Sequence, residues 1–577
     1  MTNRVRPVWA SAHGALAVGA LFLNACTSQR PATAPVPASA PATATAPGPA
    51  TVAPSPTQAP ASAGTAPTRA PAPRTSYQSA PPDWHLLDPQ ADGVMGVGAR
   101  RAITELLRGA APKRMITVAV IDGGVDTAHT SLRDVLTLNT RETPANGRDD
   151  DGNGYADDAR GWNFIGGANG NIDDDRLELT RIVATCRANG GRSPVAATCA
   201  ELDAKYKAER EEAETEWTGM RPVLTAYDSL LSVVAKENGI APAAITNATL
   251  ERMTATTTAG KMALAQLKQF TARGLSPNLS RVARKQLEGR LKYGLNLTYD
   301  GRKLIGDTPA MGRQYGNTNV TGPDASHGTA VASVIGAVRG DSGFVGVAPG
   351  IRILPVRVVP NGDEYDKDVA NGIRYAVAAG AQVINMSFGK AYSPEKAVVD
   401  SAVRFAMSRG VLLVHASGNE STDTDASPSF PAATYATPTA ERAANWIEVG
   451  ASSWQSGPTL AAEFSNYGRK SVDLFAPGVS VFSAAPNNEF AREDGTSLAA
   501  PVVSGVAALL LSQFPTLTAA DVKRILMATV TRVPDLQVQR PGSETQRVAF
   551  AALSVSGGIV NAYEAVKMAQ RETAKAQ

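Results

Sequence analysis

An excess of charge of either sign is what this sequence most plainly lacks. Fifty-six Lys and Arg stand against 53 Asp and Glu over 577 residues, for a formal charge of +3. So even a balance leaves no electrostatic footprint for nucleic acid or for an acidic surface. The chain also opens without a long apolar run, because Gly14 to Leu23 is too short to span a bilayer as a stable helix. Cysteine is scarce, with three in all, and histidine little less so, with five. Chemistry resting on an imidazole therefore has few carriers. What remains is 43% hydrophobic and 19% charged. That is a globular balance, in a chain long enough for a large domain plus additions.

Arg4 and Arg6 ahead of the short apolar core have the layout of an export signal. The core ends in Leu23-Asn24-Ala25-Cys26, which resembles the bacterial lipoprotein cleavage box, where the cysteine becomes the lipidated first residue. The resemblance implies a lipoprotein signal over residues 1–26 and a membrane anchor on Cys26, since several acyl chains suffice for stable attachment. Thr27 in place of Asp favours the outer membrane of a Gram-negative cell. Plain secretion is the alternative. Residues 27–82 are almost all Ala, Pro, Thr and Ser, a disordered tether that cannot bury enough apolar surface to fold. In an exported protein Cys186 and Cys199 then read as a disulfide, gaining about 3 kcal/mol on the loop-entropy account; two free thiols are the alternative.

From Met115 onward strands and helices alternate. Met115 to Ile121 is a continuous β-branched apolar run, as in a strand buried on both faces. Comparable runs lie at 351–359, 381–386, 411–415, 446–450 and 471–475, separated by helical patterns at 328–338, 366–379 and 394–408. The repetition predicts an α/β fold, a mostly parallel doubly wound sheet with helices on both faces and active residues at the strands' carboxyl ends. One block breaks the rhythm. Residues 172–313 are rich in Glu, Lys, Arg and Ala and read as a helical insertion carrying the Cys186–Cys199 staple. Val223, Tyr227, Leu230 and Val234 mark one of its helices. Ser280 as N-cap and Gly294 bracket another.

Four residues stand where chemistry could occur. Asp122 closes the first strand beside Gly123 and Gly124, where a strand-ending turn aspartate is the plainer reading. His327 opens a small-residue helix, while His129 follows a turn with a surface role and His415 reads as a satisfied core histidine. Asn419 follows a buried strand as good turn chemistry or as an amide donor. Ser497, in Gly495-Thr496-Ser497-Leu498-Ala499-Ala500-Pro501, begins an apolar helix whose N-terminus favours developing negative charge. Pro501 is read as falling in the first turn.

In the order Asp122, His327, Asn419, Ser497 these segments resemble the subtilisin-like serine peptidases. So do Gly346-Val347-Ala348-Pro349, Val383 to Gly389, Glu463 to Gly468 and Asp473 to Gly478. The resemblance implies catalytic segments at 83–171 and 314–572 and a serine endopeptidase acting on protein or peptide substrates. Ser497 would be the nucleophile, His327 the general base and acid, and Asp122 the orienting acid, with Asn419 an oxyanion donor. Ser387-Phe388-Gly389 would pair with substrate as an added strand. No cofactor is needed for such chemistry. Gly123 departs from the Ser or Thr usual after the Asp, Ala330 from a second His, and Leu498 from Met.

Oxygens at alternate positions in Asp149, Asp151, Asn153 and Asp157, with Gly152 and Gly154 among them, suit a structural calcium ion; a solvated acidic turn is the alternative. Asp363, Glu364, Asp366 and Asp368 could select basic substrate residues, although a solvated helix start is the plainer reading. A catalytically inactive peptide-binding protein would not need all four chemical residues. A serine esterase would want a Gly-x-Ser-x-Gly elbow, which is absent.

Overall fold

The computed structural model describes residues 77–307, 312–338, 344–436 and 441–575. The expected signal, Cys26 and the tether up to residue 76 lie outside them. Contacts of the catalytic body begin inside the last expected tether residues: Ala80 is buried, and its carbonyl accepts from Arg492 at 2.8 Å.

Eleven strands position the site. They are β1 (Thr117–Asp122), β2 (Trp162–Asn163), β3 (Arg352–Arg357), β4 (Val383–Met386), β5 (Leu412–Ala416) and β6 (Trp446–Ser452), then β7 (Leu474–Pro477), β8 (Val481–Ala485), β9 (Glu489–Glu493), β10 (Thr531–Arg532) and β11 (Gly558–Ile559). Nine of them form one sheet in the order β10-β11-β7-β6-β5-β4-β1-β3-β2, parallel throughout except for β10 against β11. β8 and β9 make a separate antiparallel hairpin.

The apolar runs are continuous because both faces are covered. Val118 and Val120 of β1 join one buried cluster, with α5 (Ser326–Gly336), α8 (Thr496–Gln513), α9 (Ala519–Ala528) and α10 (Ala562–Lys575). Ala119 and Ile121 point the other way, to a second cluster under α6 (Asp366–Ala378) and α7 (Lys396–Ser408). α8 is long and apolar enough to cross a membrane, but it is the 94% buried core helix of this body. It lies close to α5 with glycine at residue 505, where a β-carbon would come 3.2 Å from the Ile335 carbonyl of α5 and 2.6 Å from Val347 just beyond it.

Between residues 172 and 307 the chain is helical, with α1 (Glu178–Ala188), α2 (Cys199–Glu237), α3 (Thr258–Ala272) and α4 (Pro277–Gly289) its main elements. The Cys186–Cys199 disulfide joins the end of α1 to the start of α2. Tyr227 and Val234 are buried on one face of α2 with Val223 and Leu230 packed beside them, the spacing the sequence predicts. The expected N-cap at Ser280 is displaced. Ser276 caps α4 by accepting from the Leu279 N–H, with Pro277 at the first helical position, while Ser280 is buried inside the helix.

Candidate active site

Asp122 ends β1, His327 is the second residue of α5, Ser497 the second of α8, and Asn419 follows β5. β1, β4 and β5 are parallel neighbours, so the segments leaving them emerge on one side of the sheet. Asp122 Oδ1 lies 2.8 Å from His327 Nδ1 and also accepts from the Gly123 N–H at 2.7 Å. Its Oδ2 is buried with no hydrogen-bond partner among the described residues. That orphan oxygen is the structural counterpart of glycine at residue 123, which brings no hydroxyl. Close approach of the two residues requires Gly328, since a β-carbon there would sit 2.2 Å from the Gly124 carbonyl and 3.1 Å from Asp122 Oδ1.

His327 is flanked closely, although 43% of its side-chain surface is open. Burial lowers its proton affinity, but the Asp122 carboxylate and its hydrogen bond, then Glu493 and Asp324, outweigh that and lift its pKa from 6.5 to about 9. Burial in turn holds Glu493, at the end of β9, above the usual carboxylate range against the pull of His327, and Asp122's charge adds to the rise.

Ser497 and Asn419 meet around Gly495. A β-carbon there would be 3.5 Å from Ser497 Oγ and 3.7 Å from Asn419 Nδ2. Asn419 Oδ1 accepts from the Thr496 N–H and hydroxyl, each at 2.9 Å. A backbone N–H can only donate, so this contact fixes the amide with its Nδ2 left over as a donor. Pro501 is the sixth residue of α8, not in its first turn as the sequence reading had it. Lacking an N–H, it frees the Ser497 carbonyl four residues back, and that carbonyl accepts instead from Ser387 Oγ at 2.9 Å.

Ser387, Phe388 and Gly389 therefore lie against the Ser497 turn. Ser387 Oγ also accepts from Asn385, which in turn accepts from Ser504 of α8. The Phe388 carbonyl is held by His415 Nε2 at 2.8 Å, and His415 Nδ1 lies 2.8 Å from Glu448, so this core histidine is satisfied at both nitrogens. The Gly389 N–H and carbonyl have no partner among the described residues. His129 departs from its expected surface role. It is buried, accepts from the Ser131 N–H, and meets the edge of Phe490.

Of the acidic residues after β3, Glu364, Asp366 and Asp368 are buried and Asp363 is half-buried, rather than open to substrate or solvated as the sequence suggests. Asp363 accepts from the Glu178 N–H at 2.7 Å, Asp366 pairs with Lys390 at 2.9 Å, and buried Asp368 pairs with Arg302 and accepts from Tyr315. In the acidic loop before β2, Asp149 accepts from the Asn153 and Gly154 N–H groups and Asp157 from those of Asn146 and Gly147, turning both inward to backbone. The carboxylates that converge are Glu142, Asp151 and Asp158, with Asn153 donating to Asp158. Of the four expected ligands only Asp151 belongs to that group. Glu142 lies outside the acidic stretch the sequence offers, and Asp158 lies within it but off the alternating positions, because alternation along a loop does not reveal which side chains turn together.

A profile of the Subtilase family matches residues 113–546. This chain belongs to the subtilase family. It is 32% identical to subtilisin DY of Bacillus licheniformis over 249 residues, 43% of this chain and 84% of that protein. Alkaline elastase YaB of Bacillus sp. strain YaB is 36% identical over 208 residues, and M-protease of Shouchella clausii 38% over 206; each match covers 36% of this chain and 50% of the relative, so the subtilase spans about half the length of these two. Membership, with the parallel sheet, gives the subtilase its fold and its class, a subtilisin-like serine endopeptidase. Sequence reasoning did not single out Lys390, Glu178, Arg181 or Glu493, whose roles depend on contacts between remote segments.

Proposed function

We propose that this subtilase hydrolyses internal peptide bonds of extended protein substrates through an acyl-enzyme on Ser497. Ser497 Oγ attacks the carbonyl carbon while His327 takes its proton. As the tetrahedral intermediate collapses, His327 gives that proton to the leaving amine, and water, activated by the same imidazole, releases the acyl group. Asp122 holds Nδ1 and the resulting cation. Asn419 Nδ2 and the Ser497 N–H at the start of α8 stabilise the oxyanion. The observation that carries this reading is the 2.8 Å Asp122–His327 contact on the side of the sheet where Ser497 and Asn419 meet. Changing Ser497 to Ala is expected to abolish casein cleavage while leaving the melting temperature in place. Casein cleavage that persists in that variant would overturn the assignment.

The unpaired Gly389 backbone supports substrate binding as an added strand along residues 387–389. No cofactor enters the chemistry. Glu142, Asp151 and Asp158 would hold a calcium ion, a hard cation suited to carboxylate oxygens. Burial raises Asp158's pKa and Asp151 adds to the rise, a repulsion a cation would relieve, while Arg141 at 2.9 Å from Asp151 already offsets part of it. A chelator is expected to lower the melting temperature without altering the acylation of Ser497 in the folded enzyme.

For location, the sequence of residues 1–26 and a disulfide suited to an oxidising compartment support export and a lipid anchor on Cys26, with the outer membrane favoured. Labelling with a fatty-acid analogue that survives in a Cys26→Ala variant would rule the anchor out.

A further inference from the structure

The edge segment 387–390 is held at one end by the Ser497 turn, and at the other by backbone pairing of Lys390 with Phe430 and, through the Lys390 side chain, by a helix of the insertion. Lys390 is fully enclosed, its side chain 1% exposed. Its Nζ reaches Glu178 Oε2 at 2.8 Å, Asp366 Oδ1 at 2.9 Å and the Glu364 carbonyl at 2.8 Å. Glu178 is the first residue of α1. Its carboxylate also takes Arg181 at 2.6 Å, and Arg181 donates onward to the carbonyls of Asp363 at 2.9 Å and Glu364 at 3.0 Å. Just ahead of α1, the chain pairs with the same loop after β3: the Asn361 N–H donates to the Asp173 carbonyl and the Asp175 N–H to the Asn361 carbonyl. Residue 362 is glycine at a φ of +138°, where a β-carbon would come 2.3 Å from the Asp175 carbonyl.

The loops after β3 and β4 flank the end of β1, where Asp122 stands, because β3, β1 and β4 are adjacent and parallel. One network of two cations and their acids thus ties the start of the insertion to both of these loops. We propose, resting on the peptidase reading above, that Glu178, Arg181 and Lys390 are positioning residues for extended peptides. They set the distance between the loop at 361–364 and the edge at 387–389, and so make the insertion part of the substrate cleft. A buried ion pair adds little stability over apolar packing of the same volume, but it fixes the geometry of the segments it joins. Here the segment fixed is the one whose Gly389 N–H and carbonyl are left unpaired beside the nucleophile's turn. An edge displaced by about 1 Å loses backbone pairing with a peptide, and misplacement on that scale costs on the order of a hundredfold. The chemistry at Ser497 stays in place, because Ser387 remains bonded to the Ser497 carbonyl.

The test compares Lys390→Met with the double variant E178Q/K390M, which removes one charge of each sign and so keeps the network's net charge should the single variant fold poorly. Both are assayed on chromogenic peptide anilides one to four residues long and by labelling Ser497 with a small fluorophosphonate. The expected result is a fall in kcat/KM of about ten- to a hundredfold on the tetrapeptide, carried by KM. The single-residue anilide and the labelling rate should stay within about twofold of the parent, so the loss grows with peptide length. Losses that are equal for every substrate and for labelling would show a merely structural role and overturn the proposal. Unchanged KM in a variant that still labels would overturn it alone. A parent enzyme inert to both peptide and fluorophosphonate would sink the peptidase reading, and this one with it.

Discussion

Asp122 with His327 and Glu178 with Lys390 are both carboxylate–cation pairs at 2.8 Å, one at the end of β1 and one where the insertion meets the edge segment. They differ in what is left over. Asp122 keeps one buried oxygen without a partner among the described residues, and its histidine is 43% open. In the second pair each group has several partners and almost no exposed surface. Burial alone would push Glu178 toward neutrality, yet Arg181 and Lys390 hold its pKa down at about 2. A saturated pair keeps its charges at any working pH and can serve as a frame. A pair with spare capacity and an open ring can exchange a proton. On the proposed mechanism, the contrast separates the group that changes charge from the group that holds position.

The sharpest way to break this contrast is at Asp122. Replacing it with Asn puts an amide donor where the histidine needs an acceptor, so the ring takes the wrong tautomer. A loss in kcat of about ten-thousandfold is expected, with the fold retained. A loss below tenfold would mean Asp122 is no more than a turn aspartate. Asn419 comes next. Asn419→Leu removes the donor whose orientation Thr496 fixes, and kcat should fall about a hundred- to a thousandfold with KM little changed. A drop in KM-dependent terms only would place Asn419 in binding rather than in the oxyanion site.

A third experiment works on the open side of the pair. The base must be neutral to act, so kcat/KM should rise with pH through an apparent pKa above the ordinary 6.5, toward about 9. The charges facing the ring are Asp122, Glu493 from β9 and Asp324 just before α5, the last already paired with Lys285 of α4 at 2.9 Å. Glu493→Gln removes one negative charge, so the rise should move to lower pH and activity at pH 7 should increase severalfold. A profile that stays put would exclude Glu493 from the ring's electrostatics. No comparable step is expected from Glu178, whose charge is fixed well below that range.

The sheet and the positions of the four candidate residues were legible because the signals are local. A parallel strand covered on both faces must be apolar at every position, so β1 and β3 to β7 could be read as runs, and Asp122 and Asn419 fall where such runs end. Ser497 and His327 stand at helix starts for reasons visible within a few residues. The insertion's place was not legible. Nothing near Glu178 says that it faces Lys390, 212 residues away, since only the folded chain makes them neighbours. The four acids after β3 misled for the same reason: their polarity suggests water, and their partners come from remote segments. Pro501 misled differently, because its missing N–H is compensated by Ser387 rather than by its place in the helix.

The smallest expected effect concerns the orphan oxygen itself. Asp122 Oδ2 is buried without a donor among the described residues, and a serine in place of Gly123 could supply one. A β-carbon at residue 123 would lie 3.2 Å from the Val359 carbonyl, so Ser fits if the segment just after β3 gives by a few tenths of an ångström. If its hydroxyl turns to Oδ2, it adds a hydrogen bond to the carboxylate and narrows the orientation of the acid proposed to steer His327. The gain in kcat should be at most about fivefold, the rate equivalent of about 1 kcal/mol. The hydroxyl has a rival acceptor in the Val359 carbonyl, and bonding there would leave kcat unchanged and show only in the melting temperature. An increase in kcat at constant melting temperature therefore identifies Oδ2 as the site of action. It would also show that the spare capacity of this pair is a loss of orientation the enzyme tolerates, rather than a requirement of its chemistry.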